Sequence, residues 1–325
     1  MARLMVTGGA GFVGATLVRQ LLAAGQEVRI VDDLSTGREE HLEGLGEHVS
    51  LERADIRDTA AVRRAAQGVE AVVHLAARSG VPPSVADPRR DFEVNVQGLF
   101  EVLDAARAEG VGRVAFASSG AVLAGCEPPL HEALAPEPLS PYGASKLYGE
   151  ATLAAFAASY GMVCVSLRFA NVYGPFCADK TSVVAVLLKH ALAGRPLPID
   201  GDGAQTRDFI HVSDIARGVI AGLAAEHSGV FHLGTGRETS ILDLARAVAD
   251  IADVPFEVDR RPARPGDPPR NFPDTALARD RLGWAAGVDL PVGLDDTLAW
   301  LRDSRAEQAG PPETATAAVR PTGEG

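Results

Sequence analysis

The chain has 325 residues, 46% of them hydrophobic and 23% charged. That suffices for one core, or a domain with a smaller lobe, in a soluble globular protein. The net charge of −12 argues against nucleic-acid binding through a general basic field, no apolar run is long enough to span a membrane, and the N-terminus reads as a strand rather than a signal peptide. Cys126, Cys164 and Cys177 lack metal-ligand spacing and cannot all pair, so they read as reduced cytoplasmic thiols; no metal site is expected.

Apolar runs at 3–6, 27–31, 48–51, 70–74, 113–117 and 162–167 read as strands. Helical patterns lie between them at 12–24, 59–67, 91–109 and 142–160. Such alternation predicts an α/β fold of Rossmann type, a doubly wound parallel sheet with helices on both faces. After Asn171 the pattern is less regular, with helices expected at 182–193, 212–225, 240–252 and 290–302. The expected division is a dinucleotide-binding domain over 1–170 and a smaller, mainly substrate-binding mixed lobe over 171–303, some of whose segments return to the first domain. The proline-rich stretch Arg260 to Pro273 reads as a loop able to close over a ligand. Residues 304–325 have too little apolar content to offset ordering entropy and read as a disordered tail.

The first strand runs into Thr7-Gly8-Gly9-Ala10-Gly11-Phe12-Val13-Gly14, then into a helical pattern. Gly9, Gly11 and Gly14 have dinucleotide-fingerprint spacing in the strand–turn–helix context it requires. The glycines admit a pyrophosphate to the backbone, and the helix N-terminus supplies N–H donors. Asp32 ends the second strand 18 residues past Gly14, where an acid binds the adenosine ribose hydroxyls. With Asp33 it would repel a 2′-phosphate, which favours NAD over NADP.

The fifth strand ends in Ser118-Ser119, beyond whose carboxyl edge ligands bind in an open parallel sheet. Tyr142 and Lys146 follow near the start of a helix, four apart and so on one face. A nearby cation favours the phenolate and lowers the tyrosine pKa toward the range useful for a general base.

In combination, these motifs resemble the extended short-chain dehydrogenase/reductases, specifically the NAD-dependent sugar-nucleotide epimerases of the UDP-glucose 4-epimerase type. The resemblance runs from about Arg3 to Leu301 and includes Asp55-Ile56, His74-Leu75-Ala76-Ala77, Asn95-Val96, Leu167 to Gly174 and Arg207-Asp208-Phe209-Ile210-His211-Val212. It implies that Gly8, Gly11, Phe12, Val13, Gly14, Asp32 and Asp33 surround NAD, that Asp55 and Ile56 hold the adenine, and that Leu75, Ala76, Ala77 and Asn95 line the cofactor path. Lys146 would hold the nicotinamide ribose beside Tyr142, with Phe169 near the nicotinamide. Asn171, Arg207, Arg264 and Asp267 would face the diphosphate of a nucleotide sugar, a UDP-sugar being favoured. A homodimer through the helices near 91–109 and 142–160 is also implied.

The reaction implied is epimerisation at C4 through a transient 4-keto sugar. Related dehydratases and decarboxylases place carboxyl side chains directly after the strand-end hydroxyl, where this chain has Gly120 and Ala121, which transfer no protons. A lyase with another proton carrier and a non-catalytic dinucleotide sensor remain alternatives. His74 reads as a packed, hydrogen-bonded histidine, Asp214 as either a surface acid or a ligand, and Arg78 and Lys180 as either substrate contacts or surface charges.

Overall fold

A computed structural model describes residues 2–263 and 268–309, the last five as backbone only. Strands β1 (Arg3–Thr7), β2 (Glu27–Asp32), β3 (Val49–Arg53), β4 (Ala71–His74), β5 (Arg113–Ser119) and β6 (Val163–Phe169) form one parallel sheet. Between them lie α1 (Phe12–Ala23), α2 (Thr59–Ala66), α3 (Val81–Ala86), α4 (Pro88–Phe92), a π-helical turn (Glu93–Gly98), α5 (Leu99–Ala108) and α6 (Pro141–Tyr160). The helix expected over 91–109 is therefore composite.

Beyond Asn171 come β7 (Asn171–Tyr173), α7 (Val183–Leu192), β8 (Leu197–Asp200), β9 (Thr206–Arg207), β10 (Phe209–His211), α8 (Val212–Leu223), β11 (Gly229–Leu233) and β12 (Thr239–Ser240). They are followed by α9 (Ile241–Ala252), β13 (Val258–Arg261), β14 (Arg270–Asn271), α10 (Ala276–Leu282) and α11 (Leu290–Ala309). The main sheet has the order β11-β6-β5-β4-β1-β2-β3, so its seventh strand comes from the second half of the chain. The other pairings are small: β7 with β10, β8 with β13, and β9 between β12 and β14.

Parallel strands buried on both faces carry continuous apolar runs, and two cores follow. One packs Leu17, Val18 and Leu21 of α1 and Ile215 and Val219 of α8 on the sheet. The opposite face receives Val62 of α2, Leu99 and Leu103 of α5, and Leu153 and Phe156 of α6. A third core joins α7, α9 and α11 through Leu187, Leu244, Val248, Leu294 and Leu298. The first core includes residues of α8 and β11. The backbone of α11 extends to Ala309, into the stretch expected to be disordered from 304; residues 310–325 lie outside the described residues.

Candidate active site

At the sheet's carboxyl edge, Gly8 turns with φ 73° and lies so close to the loop after β4 that a Cβ there would sit 2.7 Å from the Ala76 nitrogen. A left-handed turn without side-chain space calls for glycine. A Cβ on Gly14 would run into the Gly9 backbone, at 2.6 Å from its Cα. Gly11 caps α1 without a side-chain hydrogen bond, which leaves first-turn N–H groups for an incoming anion. Phe12 and Val13 begin that helix. The residues present therefore fit a dinucleotide pyrophosphate.

The buried Asp32 carboxylate accepts from Ala10 N at 3.0 Å and Leu34 N at 2.9 Å, and burial raises its pKa. Asp33 is exposed and accepts from the Ser35 amide and hydroxyl. Leu75 N donates to Thr7 O, Ala76 N donates to Thr7 Oγ1, and Ala77 follows on the same loop. Asp55 is gripped by the Arg57 guanidinium at 2.9 and 2.6 Å, and Ile56 is buried.

Helix α6 carries the candidate pair, Tyr142 and Lys146. Ser140 caps it by accepting Gly143 N at 3.1 Å, Pro141 occupies its first turn, and Gly161 ends it in the left-handed conformation. Three consecutive β5 residues meet this helix. Ala117 O accepts from Lys146 Nζ at 2.8 Å, Ser118 donates to Glu150 Oε1 at 2.5 Å, and Ser119 hydrogen-bonds the Tyr142 phenol. Tyr142, Lys146 and Glu150 are successive residues at spacing four on one helix face. From β6, Arg168 grips Glu150 at 2.8 and 2.7 Å, with both side chains buried. A Cβ on Gly149 would lie 2.5 Å from the Phe116 ring, so the helix sits hard against the strand.

The electrostatics correct one expectation. Burial pushes Tyr142 up to about 12; Asp91 adds to the rise and the Ser119 hydrogen bond opposes it. Burial likewise brings Lys146 down to about 8, against Asp91 and Glu150, which favour the ammonium. In the protein alone desolvation outweighs the lysine's effect on the phenol: the ammonium is spent on Ala117 O and lies 5.7 Å from the tyrosine ring centroid.

Asn95, in the π-helical turn, is buried and accepts from Arg78 N at 2.8 Å. It donates to Arg78 O, Asp91 Oδ1 and Ser145 Oγ. The Arg78 guanidinium pairs with Asp87 at 3.1 Å. Phe169 ends β6 in register with Ser119 and Leu233. Asn171 is held at Asp208 O through its amide and side chain. Arg207 lies on β9 and donates to Thr206 O. Asp208 between them is fully buried and accepts from Thr235 N, Thr235 Oγ1 and Gly236 N. Arg264 and Asp267 lie outside the described residues.

Asp214, His74 and the three cysteines have definite places in the structure. Asp214 is neither a surface acid nor a ligand-facing one: it is fully buried, accepts Gly287 N and Val288 N, and pairs with Arg217. His74 is packed and bonded to Thr7 at 2.8 Å, and burial takes it down to about 3, so it stays neutral. Burial lifts the Cys164 and Cys177 thiols to about 11, which removes them as nucleophiles, and Cys126 donates to Ala135 O. Sequence reading missed Asp91, Glu150, Arg168 and Asp208 as parts of the site's frame. Only Glu150 carried a local signal, as the third member of the spacing-four series.

A parallel sheet with a glycine turn after β1 and a serine–tyrosine–lysine set at the end of β5 defines a short-chain dehydrogenase/reductase. The chain belongs to the NAD dependent epimerase/dehydratase family, whose model it matches over residues 4–234. It is 40% identical over 309 residues to the UDP-glucose 4-epimerase of Mycolicibacterium smegmatis, covering 93% of this chain and 99% of that protein. It superposes on the crystal structure of Thermotoga maritima UDP-glucose 4-epimerase with UDP-glucose at a TM-score of 0.89, with 34% identity, over 94% of this chain and 100% of that one. For the Thermus thermophilus UDP-glucose 4-epimerase in complex with NAD the TM-score is 0.86 at 36% identity, over 92% of this chain and 99% of that one.

Proposed function

We propose that the protein is an NAD-dependent 4-epimerase of a nucleoside-diphosphate sugar, with a UDP-sugar as substrate. The observation that carries this is the convergence of Ser119, Tyr142 and Lys146 on one point at the end of β5, with Gly120 and Ala121 next along the chain where a dehydratase needs proton carriers. Bound NAD supplies a hydride acceptor and, in its oxidised form, a positive ring that favours the phenolate. Ser119 orients the sugar 4-hydroxyl, Tyr142 takes its proton, and Lys146 holds the nicotinamide ribose and stabilises the phenolate. Arg207 and Arg264 anchor the diphosphate, with Asn171, Arg78 and Asp267 beside it, while the 4-keto sugar turns to present its other face. The hydride that left C4 as Tyr142 took the proton would return to the opposite face as Tyr142 gives the proton back, so substrate and product have the same mass. Asp32 selects NAD over NADP, with Asp33 exposed beside it.

The same reading makes the protein a cytoplasmic homodimer. Phe92, Phe100, Tyr148 and Tyr160 are 52%, 45%, 38% and 53% exposed. Several of them line an open recess of about 450 Å³ with Val96, Arg57 and Glu101. A second copy covering this face through α5 and α6 would form a two-fold four-helix interface. Light scattering should give the dimer mass at micromolar concentration.

The test is a panel of UDP- and dTDP-sugars incubated with the enzyme and NAD, read by chromatography and mass spectrometry. A C4 epimer of unchanged mass is expected; loss of water or carbon dioxide would instead identify a lyase.

A further inference from the structure

Lys146 is an ammonium buried among groups that must be accounted for together. On its own helix it has Tyr142 and Glu150. From β5 it meets Ala117 O and the Phe116 ring, whose centroid is 4.8 Å away. From β4 comes His74, which is neutral. From α4 comes Asp91, which is 1% exposed. Two carboxylates therefore face one lysine, but they are not equivalent. Glu150 is committed to Arg168 by a two-pronged pair and also accepts the Ser118 hydroxyl. Asp91 accepts from a neutral donor, Asn95 Nδ2 at 2.9 Å, and lies beside the Ser145 hydroxyl, which lowers its pKa and donates to Tyr142 O at 2.9 Å. The positive groups acting on it are Lys146 and, more weakly, Arg78, which is itself paired with Asp87. A buried carboxylate carried only by neutral hydrogen bonds is costly.

We propose that Asp91 is the counter-charge that keeps Lys146 an ammonium in the buried site, and is thus a positioning residue for the Tyr142–Lys146 pair. Through Asn95 and Ser145 its carboxyl is tied to the loop after β4 and to the residue preceding Lys146, so charge and geometry are set together. The raised pKa of Asp91 and the lowered pKa of Lys146 agree with two desolvated groups that support each other without a direct ion pair. The catalytic consequence rests on the epimerase reading above; the charge relation does not.

The composition makes this testable. The chain has only three lysines, Lys146, Lys180 and Lys189. With ¹³Cε-lysine labelling, and Lys180→Arg and Lys189→Arg to assign the signals, the Lys146 titration can be followed by NMR in the protein without substrate. Asp91→Asn should lower the Lys146 midpoint by about one pH unit, a tenfold change in its acid constant. Asp91→Glu should restore most of the shift, and Ser145→Ala, which removes a hydrogen bond but no charge, should leave the midpoint in place. In the active enzyme, the alkaline limb of kcat/KM should move down by the same interval in Asp91→Asn. Asp91→Ser provides a second neutral variant should Asp91→Asn fail to fold. An unchanged Lys146 midpoint in either folded neutral variant would overturn the proposal. Absence of turnover on every sugar nucleotide, with the midpoint shifted as expected, would overturn the epimerase reading instead.

Discussion

The two ends of the candidate site are held in different ways. Around α6, the candidate groups Ser119, Tyr142 and Lys146 are backed by a buried frame in which Arg168, Glu150, Ser118, Asp91 and Asn95 are each at most 6% exposed. On the side of β2, the loop after that strand is clasped to the segment after β7 by Arg38 and Asp179, whose side chains are 41% and 56% exposed. The frame holds atoms that must meet within hydrogen-bond distance during proton transfer. The clasp holds a loop that needs only to be near. Similar bond lengths therefore carry different weights, because a pair shielded from water cannot be replaced by solvent when it breaks.

The sharpest probe of the framed end is its reactive group. Tyr142→Phe should cut turnover by about 10² to 10⁴ while NAD still binds, measured by steady-state rate and cofactor titration. Near-normal turnover would end the assignment of Tyr142 as the base.

The frame itself comes next. Arg168→Met leaves the Glu150 carboxylate buried without its partner and should destabilise the fold by about 3–5 kcal/mol in denaturant titrations. The double change with Glu150→Gln should recover much of that loss. If the single variant cost no more than an exposed pair, the contrast between the two ends would fail.

A smaller effect is expected in acid. His232 lies in register with Arg168 on β11, and burial takes its pKa to about 3, as it does for His74. Between about pH 6.5 and 3 the unfolded chain binds protons that the folded one refuses, so each histidine makes stability fall as pH drops through that window. The slope is about 1.4 kcal/mol per pH unit per histidine. His232→Gln should flatten the acid limb of stability by about one such slope relative to the parent protein.

The clasp gives the smallest effect. Arg38→Ala should cost about 1 kcal/mol or less. A loss as large as that of Arg168→Met would show that the exposed end is as tightly framed as the buried one.

Much of the first half was legible because its physics is local. Val6, Gly8, Gly11, Gly14 and Asp32 lie on successive parts of one strand–turn–helix–strand unit, and Tyr142 and Lys146 are one helical turn apart. The second half was harder to read. Gly229–Leu233 is a five-residue run whose neighbour in the sheet, β6, lies some sixty residues earlier, so nothing nearby marks it as a seventh strand. The Glu150–Arg168 pair is equally non-local. The raised tyrosine pKa escaped spacing arguments because they count charges and omit desolvation, which here is the larger cause.

The π-helical turn at Glu93–Gly98 has a consequence for how this segment tolerates change in length. A π turn holds an extra residue, so the helical phase before it differs from the phase after it. Here that offset lets Asp91 and Asn95 point inward while Phe92 and Phe100 stay outside and Leu99 and Leu103 enter the core. Substitutions along this rod act one side chain at a time. Deleting a single residue within the turn would leave an ordinary α-helix whose two flanks keep their faces, because the wide turn already absorbs one residue. The same deletion within α5 would rotate everything beyond it by about 100° and turn the core leucines the wrong way. A change of one residue in length is therefore tolerated in the turn and not in the helix that follows it.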